Sequence, residues 1–384
     1  MATFQKVKIG DICELQQGLC INRKSRHLLV EHSDLPLLRI TDLINDKQEQ
    51  YINSSLVSPQ FISDEKSLIY TRTGQVGLVF KNRKGVVYNN CFKIITKPNL
   101  DKDFLFYLLK QKGLHDNVVR IASKAAQPDL THSAFKLIDI YIPNDVTVQT
   151  HIASILSAYD DLIENNEKRI KALEEMAKLL YIEWFVRFKF PGHEKAKMVD
   201  SNTKYGKIPE GWAVKYLGDQ ISIQKGKNIT KSTVKEGNVP VVAGGLEPAY
   251  FHNTPNTKGP IVTISASGAN AGFTRLYHED VWASDCSFID RTVTKHVYYY
   301  YLFLIKNQDQ IDTLQRGSAQ PHVYPKDLMR LTLVSAPDAV VGAFNDRVSP
   351  VFELIGILGA ENQKLSKTRD LLIPQLVTGK RELK

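Results

Sequence analysis

Apolar residues along the chain form two kinds of pattern, and the two alternate twice. The first kind is short β-type runs broken by Gly, Pro and Asn: Ser67-Leu68-Ile69-Tyr70, Gly85-Val86-Val87-Tyr88 and Pro260-Ile261-Val262-Thr263-Ile264. Such runs read as strands. A helix-like segment follows in each half, Asp103 to Gln111 and Val297 to Lys306, and then a last strand that ends at Pro143 or Pro337. The second kind is a long helical stripe. From Val146 to Phe188, Ile152, Tyr159, Leu173 and Leu180 share one column; Ile155, Leu162 and Met176 supply the second seam position, and Leu156, Ile163 and Ile170 widen the stripe. Pro191-Gly192 ends this helix. Asn166 stands in the column of Tyr159 and Leu173, either to fix the alignment of a helix pair or as a solvated break in the stripe. The second stripe runs from Val340 to Leu372 through Val351, Ile355, Leu358, Leu365 and Leu372, and Pro374 is expected to break it. Its Gly356 and Gly359, with no counterpart in the first helix, predict a looser helix. A stripe this long needs another helix to cover it, and short loops around each globular part predict an antiparallel pair.

The alternation reflects an internal repeat. Gly10-Asp11 and Leu15-Gln16-Gln17-Gly18 recur as Gly218-Asp219 and Ile223-Gln224-Lys225-Gly226. Leu35-Pro36-Leu37-Leu38 is echoed by Val239-Pro240-Val241-Val242. Thr73-Gly74 with Gly77 is echoed by Ser267-Gly268 with Gly272, and Ala126-Gln127-Pro128 by Ala319-Gln320-Pro321. Ile140 to Asp145 resembles Leu333 to Asp338. Five echoes in one order indicate a tandem duplication. The fold class expected is therefore α+β: two tandem globular α/β domains, each followed by a long α-helix, with the two helices forming an antiparallel coiled coil. The boundaries expected are 1–145 and 213–338 for the globular domains, 146–190 and 339–384 for the helices (the second with a C-terminal tail), and 191–212 for a linker and re-entry.

Composition narrows the function. A chain of 384 residues is too long for one ordinary core. The net charge of +9 suits either a mildly basic protein or one with a polyanionic partner. Cys13, Cys20, Cys91 and Cys286 show no CxxC pairing, so neither a disulfide framework nor a zinc site is expected. With no signal-peptide core and no bilayer-length apolar run, a cytoplasmic location is expected. The motifs of a P-loop, a dinucleotide site, a nucleophile elbow, a zinc deaminase and an amino-methyltransferase are absent from the sequence. No catalytic residue, metal site or cofactor is expected.

Three stretches carry a family resemblance that covers the whole chain: LLYIEWFVRFKFPGH at Leu179 to His193, KIPEGW at Lys207 to Trp212, and LLIPQLVTGKREL at Leu371 to Leu383. Together they resemble the specificity subunit of type I restriction–modification systems. The resemblance implies that the globular units are target-recognition domains, each reading one half of a bipartite double-stranded DNA site, and that the helices set the unread gap. It also implies a non-catalytic subunit that docks two modification (methyltransferase) subunits, joined by two restriction (endonuclease/translocase) subunits. The alternatives are a stand-alone DNA-modifying enzyme, against which the missing motifs argue, and a coiled-coil scaffold without DNA readout.

Equivalent loops of the two halves should face the same ligand. The first candidate loop holds Arg72, Thr73, Gly74 and Gln75, matched by Ser267, Gly268, Ala269 and Asn270; a plain β-turn is the competing reading. Gly allows close backbone approach, and the amides of Gln75 and Asn270 suit adenine. The second holds Ser123, Lys124 and Gln127, matched by Arg316, Ser318, Gln320 and His322. The third holds Gln17, with Lys225 and Lys227 opposite, and is suited to phosphate. Arg39 either joins this surface or forms a strand-end ion pair. For helix pairing or partner docking the candidates are Asn166, Tyr181, Trp184, Phe185, Leu365 and Leu372. The aromatic group at the end of the first helix has three uses open to it: core packing, docking of the second domain, or contact with a methyltransferase subunit.

Overall fold

The short apolar runs of the first half become antiparallel strands, because their alternate side chains can be buried from both faces of a sheet. In the computed structural model, which describes residues 3–123, 128–317 and 320–381, β1 (Phe4–Lys8) and β2 (Cys13–Gln17) are followed by β3 (Ser67–Thr71), β4 (Val79–Lys81) and β5 (Cys91–Thr96). These form a four-stranded sheet in the order β2-β5-β3-β4. Gly85–Val87 lies in a separate small sheet, parallel to Leu37–Leu38 and antiparallel to Ile62–Ser63. Two helices follow, α1 (Lys102–Lys110) and α2 (Lys112–Ala122). Asp101 caps the first, its carboxylate accepting from the Phe104 amide at 2.8 Å. β6 (Asp139–Pro143) then returns to pair with β1. Tyr70, Phe92 and Phe135 pack ring against ring at 4.9–5.6 Å and, with the apolar face of α1, form the core. The first long helix, α3 (Val146–Tyr181), leaves this domain.

The second half repeats the plan. After α3 and a π-helical turn at Ile182–Val186 come β7 (Ala213–Tyr216), β8 (Gln224–Lys225), β9 (Ile261–Ser265), β10 (Thr274–Tyr277) and β11 (Cys286–Ile289). Their sheet order, β8-β11-β9-β10, is that of the first half. The parallel pair of the small sheet is repeated as well, with Val239–Val242 beside Trp282–Ala283, but here the third strand, Tyr250–His252, pairs with Val239–Val242. α4 (Val297–Lys306) follows, and β12 (Thr332–Ser335) pairs with β7 as β6 does with β1. The last element is the second long helix, α5 (Asp338–Val377).

The chain forms two compact units, Met1–Glu164 with Asn362–Lys384, and Asn165–Glu361. Both divisions fall inside α3 and α5. Within the first unit the start of α3 packs beside the end of α5: Ile152, Ala153 and Leu156 share a core with Ile373, Leu376 and Val377. Within the second, Ala177, Tyr181, Trp184 and Phe185 pack with Phe344, Phe352 and Ile355 from the start of α5. The pairing is antiparallel in both.

The helices differ from the sequence expectation in three ways. The second seam column on α3 is Leu156, Ile163, Ile170 and Ala177, whereas Leu162 and Met176 are about half exposed. Columns three and four residues apart both fit an amphipathic helix, and only the position of the partner selects between them. Pro374 does not end α5: its missing N–H leaves only the Asp370 carbonyl without a helical donor, and burial of Ile373, Leu376 and Val377 carries the helix onward. Gly356 does not loosen α5. A Cβ there would come within 2.8 Å of the His278 ring, so the glycine admits a close contact. The tail residues Glu382, Leu383 and Lys384 lie outside the described residues.

Candidate nucleic-acid interface

In the first unit, three neighbouring strands end at the same edge of the sheet. β2 finishes with Gln17, β3 runs into Arg72, and β5 is entered from Asn89 and Asn90. The Asp129 segment closes against them. Arg72 meets the Asp129 carboxylate side-on, with Nη2 at 2.8 and 2.9 Å from its two oxygens and Nε at 3.2 Å. Its Nη1 donates to Oε1 of Gln17 at 3.0 Å, and the Gln17 amide nitrogen donates to the Asn89 carbonyl at 2.7 Å. The Thr73 hydroxyl donates to Asp129 at 3.3 Å. Behind the pair, burial and then the charge of Arg72 hold His132 below its ordinary range, so it stays neutral. Gln75 is exposed beside Gly74, whose φ of +79° and open surroundings suit a tight, uncrowded loop.

The second unit builds the same frame with other side chains. The Arg72 amide donates to the Asn90 carbonyl at 2.9 Å, and Ala266 does the same to Asp285 at 3.2 Å. Leu130 donates to the Arg72 carbonyl at 2.9 Å, and Val323 to that of Ala266 at 3.0 Å. The bridge between Thr73 and Asp129 is matched by one between Ser267 and His322. Gly268 repeats Gly74, with φ +82° and nothing within reach of a Cβ. Ser267 donates to the Asp285 carboxylate, Asn270 reaches the Gly244 carbonyl at 3.4 Å, and the His322 ring stacks on Tyr324. Arg316 and His322 are joined by two backbone hydrogen bonds. The Arg316 guanidinium also holds Asp327, a buried carboxylate, at 2.7 Å.

The third pair of candidates is fixed by close backbone packing. A Cβ on Gly18 would lie 2.2 Å from the Tyr88 carbonyl oxygen, and one on Gly226 2.2 Å from that of Ser284. Each glycine therefore sets the strand end that carries Gln17 or Lys225. Lys225 and Lys227 are exposed, as is Gln320. The Ser123 hydroxyl turns back onto the Val119 carbonyl. Lys124, Gln127 and Ser318 lie outside the described residues. Arg39 forms an ion pair: its guanidinium grips Asp42 at 2.7 Å and Glu49 at 2.6 Å. Sequence reasoning overlooked Asp129, Asp285 and Tyr324. Asp129 follows the Ala126-Gln127-Pro128 echo, and Asp285 precedes the cysteine that matches Cys91, so aligning the two copies would have found both.

Of the helix candidates, Tyr181, Trp184 and Phe185 are buried against Phe344, with ring centroids 4.9–6.0 Å apart, which makes them core residues of the second unit. Leu365 and Leu372 are half-buried. Asn166 is buried and donates to Glu361 at 3.1 Å. Burial pushes the thiols of Cys13, Cys91 and Cys286 up to about 12, so none of these three is a reactive thiolate. Among the described residues no group of His, Cys, Asp and Glu is arranged to hold a metal ion, and no helix is long and apolar enough to cross a membrane.

The chain is similar along nearly its whole length to two curated proteins of Methanocaldococcus jannaschii. It is 28% identical to the Type I restriction enzyme MjaIX specificity subunit, covering 97% of this chain and 92% of that one. It is 24% identical to the MjaVIII specificity subunit, over 99% and 93%. Among solved structures, the Type-I restriction-modification system S subunit from M. genitalium superposes with a TM-score of 0.66 at 15% identity, over 100% of this chain and 97% of that one, which shows a shared fold. The family model described as the Type I restriction modification DNA specificity domain matches residues 1–175 and again 209–335. Two matched copies of one domain, each with the same loop frame and followed by a long helix, identify the chain as a member of the type I restriction–modification DNA specificity family.

Proposed function

We propose that this chain is the non-catalytic, sequence-reading subunit of a type I restriction–modification complex and works in the cytoplasm without a cofactor. Residues 1–145 and 213–338 are its target-recognition domains, each reading one half of a bipartite double-stranded DNA site. The spacer helices, 146–190 and 339–384, set the gap between the halves, and 191–212 is the re-entry into the second copy. Two modification subunits dock on the chain, and two restriction subunits join them. One observation carries this reading: the two units hold the same loop frame at the same edge of the same sheet, filled with different side chains. A fixed frame with variable contents is what reading two different half-sites requires, since base edges are discriminated by the donors and acceptors presented to them. Gln17, Lys225, Lys227 and the loops at Thr73, Gln75, Ser267, Asn270, Gln320 and His322 supply these groups, and the exposed lysines serve phosphate contact.

The purified chain, incubated with a labelled methyl donor and genomic DNA, should incorporate no label. With its modification subunit, label should appear only at a split sequence. Incorporation by the chain alone, or methylation without sequence preference in the complex, would overturn the reading.

A further inference from the structure

The two units share a loop frame and differ in the side-chain pair that spans it. In the first unit Arg72 and Asp129 form a two-pronged ion pair across the loop frame. In the second unit the corresponding residues are Ala266 and His322, yet the same backbone hydrogen bonds close the frame at 2.9–3.0 Å on one side and 2.9–3.2 Å on the other. The fold therefore closes this loop without an ion pair between these two positions. A carboxylate at a surface that meets phosphates is also unfavourable unless it has a task, because like charges repel.

The guanidinium geometry indicates the task. Nε and Nη2 face Asp129, and the Nη1–Nη2 edge, met at Nη1 by Oε1 of Gln17, is the one a ligand would take by displacing that amide. That edge presents two parallel donors, the match for a pair of acceptors on one base edge, and in the major groove guanine alone offers two, O6 and N7. Clamping Arg72 before binding removes much of the rotamer entropy that a free arginine loses on contact. Gln17, which accepts from Nη1 and is itself tied to the Asn89 carbonyl, holds the same edge in line when no DNA is bound. We propose that Arg72, braced by Asp129, is the residue with which the first unit reads a guanine, and that the second unit has no equivalent contact at its Ala266. The assignment rests on the DNA-reading function proposed above. Asp129 is a positioning residue, because it acts through Arg72.

The test is selection of methylated duplexes from a random library by the full-length chain in complex with its modification subunit. The wild-type complex should require guanine at one position of one half-site. Arg72→Ala copies the residue of the second unit, so it should fold. It should lower the preference for that guanine by about 5- to 150-fold, the range for one bidentate base contact. Arg72→Lys keeps the charge and donors that can still meet O6 and N7 but loses the rigid fork, so it should keep only part of the preference while affinity for phosphate persists. Asp129→Asn should weaken the preference by a smaller factor. In all three variants the other half-site stays unchanged. Equal loss of binding to every sequence, with the base preference kept, would make Arg72 a phosphate or structural contact and overturn the proposal. If the wild-type complex selects no sequence, the DNA-reading function itself fails and the guanine assignment falls with it.

Discussion

Arg316, a candidate for DNA contact with an exposed side chain, is also tied to the interior of its unit. Its guanidinium lies 2.7 Å from Asp327, whose side chain is 3% exposed and whose second oxygen has no partner. Removing the arginine leaves a buried carboxylate unpaired, and a buried acceptor stripped of its partner costs about 1–3 kcal/mol. Arg316→Ala is therefore expected to lower unfolding stability by about that much, whereas Gln320→Ala, at an exposed position, should change it by less than about 0.5 kcal/mol. Denaturant titration of both variants checks this; equal stabilities would show that the ion pair contributes little. In DNA selection, Gln320→Ala is the cleaner probe of this loop, because a change in preference there carries no stability loss with it.

At the scale of elements, α5 is held by contacts that hydrophobic spacing does not announce. In the first unit Arg369 pairs with Asp160 of α3, and Asp160 accepts from the Tyr107 hydroxyl of α1 at 2.6 Å, so one carboxylate ties both long helices to the domain. In the second unit His278 packs against Gly356, and burial lowers its pKa below the ordinary 6.5. The folded state thus prefers neutral His278 more strongly than the unfolded chain does. Its contribution to stability is intact above the unfolded value near pH 6.5 and is lost as pH falls from there through the lowered folded value. Melting curves between about pH 8 and pH 5 should show a decline that His278→Gln makes shallower. An unaltered slope in the variant would mean that His278 is not among the groups responsible.

At the scale of the molecule, the helices are tied to each other by position-specific polar contacts. Asn362 donates to the Ile163 carbonyl at 3.3 Å in the first unit, and Asn166 to Glu361 at 3.1 Å in the second. Lengthening one helix alone shifts it against its partner and breaks such pairs. A ruler is therefore extended by changing both helices. Four residues inserted after Glu164 and four after Glu361 add ~6 Å to each helix and turn it by ~400°, so each apolar stripe nearly keeps its face. The doubly extended chain is expected to methylate the same half-sites with a gap longer by about one to two base pairs, at ~3.4 Å per pair. Four residues in one helix only should give a destabilised chain. Methylation mapping with each variant decides; an active double insertion with an unchanged gap would show that the helices do not measure the site.

The duplication, the strand runs, the helical character of both long stripes and the family were all legible in the chain, because they rest on local spacing and on motifs that read the same in any context. The frame glycines were legible too, since Gly74 and Gly268 recur in register. What the tertiary structure decided was which of several compatible neighbours each side chain meets. Periodicity allowed either Leu162 or Ile163 beside the seam, and only the partner helix selected Ile163. A proline rule ended α5 at Pro374, but burial of the next turn outweighed one lost hydrogen bond. Arg72 and Arg316 look alike in sequence; one is braced by a half-exposed carboxylate at a sheet edge, the other satisfies a buried one, and Asp129 and Asp327 reach them across 57 and 11 residues of chain. Contacts between residues so far apart leave no local spacing to read, because the chain alone does not state which segments will be neighbours.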